Sequence, residues 1–76
     1  MSSGGSGRAV AAFRRHLDRN PNHLGARRNL ALLYLEMGDH QRAEAQLKSI
    51  LRLKPRDVDA ANLLELIRTM RARGPG

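Results

Sequence analysis

Three histidines, His16, His23 and His40, are the side chains best suited to proton transfer or metal ligation near neutral pH. His16 and His23 stand on either side of the break at Asn20-Pro21, and neither lies in an HExxH-like or cysteine-assisted ligand pattern. The absence of cysteine excludes thiolate metal sites and disulfides. His40 follows Gly38-Asp39 and stands apart from both other histidines. Asp57 and Asp59 fall in the first turn of a predicted helix. Carboxylates there cap free N–H groups and complement the helix dipole instead of sharing a proton in a cleft. Gly4, Gly5 and Gly7 follow no strand and build no phosphate-cradling loop. The chain therefore reads as no enzyme, with no catalytic residue, no metal ligand set and no cofactor.

Binding chemistry remains. Fourteen Lys and Arg against seven Asp and Glu give a formal charge of +7 over 76 residues, which favours acidic partners without naming one. The excess forms no run. Phe13 and Tyr34 are the only aromatics, and both fall at predicted core positions, so no base-stacking platform is available for nucleic acid. The longest apolar run, Leu30 to Leu35, is far shorter than the roughly 20 residues a bilayer requires. The apolar stretch at Val10 to Phe13 is too short for a signal peptide and is flanked by arginines. Membrane insertion is not expected, and the compartment defaults to the cytoplasm.

The elements that must position these side chains are helices. Residues 1–7, MSSGGSG, read as a flexible Ser/Gly linker or tag, and residues 74–76 as a tail. A single domain is expected over 8–73. Its first helix spans about Arg8 to Arg19, with Ala9, Val10, Phe13 and Leu17 on one stripe, and ends at Asn20-Pro21. A second runs from about Asn22 to Met37 and stops at Gly38, with Leu30, Leu33 and Tyr34 predicted as core. Asp39 caps a third over about His40 to Leu53, whose inner face carries Ala43, Leu47, Ile50 and Leu51. Asp57 caps a fourth over about Val58 to Ala72, with Ala60, Leu63, Leu64 and Ile67 at core spacing. Short connections make neighbouring helices antiparallel, so the fold class is all-α.

Displacing the sequence by 34 residues lays it on itself. Ala9, Phe13, Leu17 and Pro21 fall on Ala43, Leu47, Leu51 and Pro55; Ala26, Leu30, Leu32 and Leu33 fall on Ala60, Leu64, Leu66 and Ile67. Small residues recur where helices approach closely, large ones where they fill space. One full unit reads Arg27-x2-Leu30-Ala31-x2-Tyr34, then Gly38-Asp39, then Ala43-x3-Leu47, then Pro55. This resembles the tetratricopeptide repeat (TPR) pattern W-x2-L-G-x2-Y, A-x3-F, P. Ala31 and Leu47 keep the size class of the family's Gly and Phe, whereas Arg27 replaces its Trp. Ahead of the full unit stands a second helix lacking its first. Behind it stands a first helix alone, in which Glu65 and Arg68 replace the small residue and the Tyr.

The resemblance implies a short right-handed solenoid of four helices in stacked antiparallel hairpins. It further implies a protein–protein interaction scaffold that holds a peptide or helix on its concave face. Position by position, that face maps to Arg28, Asn29, Leu32, Leu35 and Glu36 on the second helix. On the fourth it maps to Asp59, Asn62, Leu63, Leu66 and Met70. Leu32, Leu35, Leu63, Leu66 and Met70 are expected to form an apolar stripe with no inner partner, the usual mark of an interface. A carboxylate clamp of the kind some members carry is not expected, because Asp59 and Leu63 occupy two of its basic positions. Asn29 is read instead as an interhelical hydrogen-bonding residue. One alternative is self-association, as a homodimer or by helix exchange, that completes the array. A second is nucleic-acid binding through a basic outer face of Arg8, Arg14, Arg42 and Lys48, a set that otherwise reads as a solvated surface.

Overall fold

The computed structural model describes residues 3–73, with side chains from Gly7 onward. Among these residues four helices and no strand occur: α1 (Ser3–Arg19), α2 (Leu24–Glu36), α3 (His40–Leu53) and α4 (Val58–Arg73). α1 begins at Ser3, so residues 3–7, expected as a flexible linker, are helical. Serine and glycine are poor helix formers, glycine by about 1 kcal/mol relative to alanine, but neither breaks the ladder as proline does, and a nucleated helix propagates through them. Met1, Ser2 and the expected tail at 74–76 lie outside the described residues.

Several helix boundaries have a local chemical cause. Past Arg19 the His16 carbonyl accepts both the backbone N–H of Asn20 at 2.9 Å and its side-chain amide at 3.2 Å. α2 starts at Leu24, two residues later than the sequence indicates, because His23 provides the cap: its Nδ1 accepts the N–H of Ala26 at 2.9 Å. Gly38 closes α2 in the left-handed conformation, φ +79°. The Gly38 N–H reaches Leu35 O at 3.0 Å and the Asp39 N–H reaches Tyr34 O at 2.8 Å, satisfying two carbonyls the helix leaves free. A Cβ at Gly38 would meet nothing within 4 Å. Gly38→Ala is therefore expected to cost only the backbone strain, about 1–2 kcal/mol, read as a lower urea midpoint with an unchanged slope. Asp57 caps α4, accepting the Ala60 N–H at 2.9 Å.

Asp39 caps α3 with one carboxylate oxygen on the Arg42 N–H at 3.2 Å and the other on the Arg42 guanidinium at 2.6 Å. The guanidinium hydrogen bond first, and the backbone one second, hold the Asp39 carboxyl below its ordinary range. A carboxyl depressed in the folded state adds stability above its unfolded pKa and loses it as pH falls through the folded one. Asp39→Asn keeps a capping side chain but neither titrates nor pairs. The stability advantage of the wild type over Asp39→Asn is therefore expected to shrink as pH drops below about 4. Thermal melts of the two chains across acid pH check this.

The helices pack on their sequence neighbours: α1 on α2, α2 most extensively on α3, and α3 on α4. α1 and α4, which a closed four-helix bundle would bring together, share no extended contact. The result is a slab of 38 × 38 × 14 Å with a radius of gyration of 12.6 Å, above the roughly 11 Å of a compact chain of this length. The centre of the slab is α3, whose Ala43, Leu47 and Ile50 are at most 1% exposed between α2 and α4. Ala31 and Ala60 are fully buried, the small side chains that let helix backbones approach.

Leu33 departs from expectation. It is half-buried and outside the core cluster, and Ala26 and Ala31 join Leu30 and Tyr34 in the core instead. Its repeat mate Ile67 is fully buried.

Candidate protein-docking surface

The two first helices, α2 and α4, lie side by side. Arg28 Nη1 on α2 meets Asp59 Oδ2 on α4 at 2.9 Å, an exposed ion pair that marks the neighbouring N-terminal turns. Further along each helix stand Leu32 and Leu66, exactly one repeat apart and 40% and 50% exposed, with Met70 one turn beyond at 38%. These three have open apolar surface. Leu35 and Leu63, expected in the same unpartnered stripe, are half-buried and pack against the core. The stripe is therefore narrower than the sequence implies, because Leu35 and Leu63 lie toward the helix interfaces.

Arg28 is held by Asp59, so its charge is partly committed within the chain. Asn29 does not bridge helices: it is exposed, its side chain bonds no described residue, and it edges a groove between α1 and α2. The expected interhelical hydrogen bond is thus absent among the described residues. Glu36 and Asn62 are exposed as expected of a solvent-facing surface.

Arg27, which replaces the family's Trp, makes polar use of a packing position. Its Nη1 donates to Gln46 Oε1 on α3 at 3.0 Å and its Nη2 to the Pro21 carbonyl at 2.9 Å. One guanidinium thereby ties the α1–α2 turn to α3, a planar fork that lysine could not reproduce. Its Nε is buried without a partner.

On the opposite side, Arg14 and Arg42 border one shallow depression with Tyr34 and Gln46. Arg8 and Lys48 are exposed. Arg42 is already paired with Asp39. Arg71 on α4 similarly pairs with Glu44 on α3 at 2.8 Å.

Proximity that the linear sequence conceals joins His16 and His23. Their rings meet edge to face with centroids 4.9 Å apart across the α1–α2 turn. Only displacement by one repeat hints at this, since it puts His16 at the position of buried Ile50. Among the described residues no group of three or more His, Cys, Asp or Glu is placed to hold a metal ion, and no helix is long and apolar enough to cross a membrane.

An open array of helical hairpins with an apolar face across its first helices defines a helical-repeat interaction module. The tetratricopeptide repeat family model matches residues 3–67, and the chain belongs to that family. Tetratricopeptide repeats generally mediate protein–protein interaction and are generally non-catalytic. No curated protein and no solved structure matches the chain.

Proposed function

We propose that this chain is a scaffold module that holds an amphipathic helix or extended apolar segment of a partner protein along the α2–α4 face. The observation that carries the reading is the exposure of Leu32, Leu66 and Met70 on adjacent, repeat-related helices. Large apolar side chains aligned this way favour a partner that removes them from water, by about 25 cal/mol per Å² of apolar surface covered. The Arg28–Asp59 pair and Asn62 supply a polar border for orientation. Peptide recognition by a helical face of this kind is read through anchors spaced one helical turn apart.

The experiment is selection of a displayed random-peptide library on the folded chain, followed by methyl NMR mapping of the peptides recovered. Recovered peptides are expected to be apolar at helical spacing and to shift Leu32, Leu66 and Met70. Peptides that map elsewhere, or light scattering that shows a dimer burying this face across a hundredfold dilution, would overturn the reading. The dimer outcome would favour self-association. Retention on a nucleic-acid column at low salt, lost when Arg14 and Lys48 are replaced, would favour the basic face instead.

A further inference from the structure

We infer that the groove between α1 and α2 is a second docking site, one that takes an acidic amphipathic helix of a partner protein packed on α1 as α2 packs on α3. The groove measures about 450 Å³ and is lined by Ala9, Ala12, Phe13 and His16 from α1, the capping His23, and Ala26 and Asn29 from α2. No Lys, Arg, Asp or Glu lines it.

The chain itself shows what fits there. One repeat further on, Ala9, Phe13 and His16 become Ala43, Leu47 and Ile50. Those three are at most 1% exposed, whereas Ala9 and Phe13 are half-buried and His16 is exposed. α2 lies against that downstream surface and presents Leu30, Ala31 and Tyr34, all buried. The occupant of the upstream groove is accordingly a helix with a small residue at the closest approach, flanked by larger apolar ones.

Charge selects the occupant further. Beside His16 the groove borders a shelf formed by Arg15, Arg19 and Asn20, and neither arginine is in an ion pair among the described residues. A helix antiparallel to α1, as α2 is to α3, brings its N-terminus to this shelf. Acidic residues in its first turn would then meet Arg15 and Arg19 while complementing their own helix dipole. The opposite end of the array argues against a second copy as occupant. On α4 the positions matching Ala31 and Tyr34 are Glu65 and Arg68, both exposed and polar, as in a terminal cap. Glu65 would stand where the close approach needs a small side chain.

The probe is a labelled peptide of residues 24–37 with Gly25→Glu, Arg27→Leu and Arg28→Glu, which keeps the Leu30, Ala31 and Tyr34 face and gives an acidic first turn. Saturable binding is expected, with NMR shifts at the Ala9, Ala12 and Ala26 methyls and the His16 and His23 rings. Ala12→Arg alters an exposed helical position and should leave the fold intact while weakening binding at least tenfold. A peptide that also carries Ala31→Glu is expected to lose affinity to the same degree, and Arg15→Glu with Arg19→Glu to weaken it less. No saturable binding, or shifts confined to Leu32, Leu66 and Met70, would overturn the inference. So would a dimer of the chain that Ala12→Arg dissociates, since the occupant would then be a second copy. The inference stands apart from the α2–α4 reading, because the two sites share no residue in these readouts.

Discussion

Leu47→Ala is expected to lower the unfolding free energy by about 2–5 kcal/mol, the cost of a cavity in a packed interior. A chain of this size has a total stability of only about 4–11 kcal/mol, so the loss removes a large share of it. The reason is position. Leu47 is fully buried at the middle of α3, which packs against both α2 and α4. Leu51, half-buried one turn later, is expected to cost clearly less when replaced by alanine. Urea unfolding followed by far-UV circular dichroism measures both. Equal costs at the two positions would mean that α3 is not the enclosed helix of the array.

Leu66→Asp is expected to leave the unfolding midpoint nearly unchanged while weakening capture of a selected peptide by at least about 30-fold, the size of an interface hot spot. Half of the Leu66 side chain already faces water, so an aspartate there stays hydrated in the free chain. In the complex the same carboxylate would be stripped of water against an apolar segment with no cation opposite, and burying an unpaired charge is expensive. Leu32→Asp, at the equivalent position of the preceding unit, is expected to behave alike. Lys48→Glu on the outer face is the control that changes charge and leaves capture intact. Loss of helicity together with binding in Leu66→Asp would place that leucine in the core and remove the proposed face.

The helices themselves were legible because their stops are written in residues with one dominant conformational effect. Asn20-Pro21, Gly38-Asp39 and Pro55 followed by Asp57 end or begin helices through sterics and capping that act within a few residues. The start of α1 was not legible, since Ser3 to Gly7 contain no apolar residue to set a period and only weak helix formers, and their conformation depends on the helix that follows. Of the candidate site, Leu32, Leu66 and Met70 followed from the repeat. Leu35 and Leu63 could not be told from them, because all five are leucine-class residues on one broad apolar arc, and a few tens of degrees of helix rotation decide which sink into an interface.

Composition and spacing by themselves determined that this chain is all-α, that it repeats every 34 residues, and that it is built to stack: a 34-residue period with small residues in phase leaves each hairpin an apolar face it cannot bury alone. Tertiary structure decided which of the equivalent side chains are covered. His16 meets His23, Arg27 reaches Gln46, and Arg28 engages Asp59 only because separate helices are brought side by side. Exposure depends on what lies opposite a residue, and a repeat assigns Phe13 and Leu47 the same role while only the folded array shows that one of them has a helix laid over it.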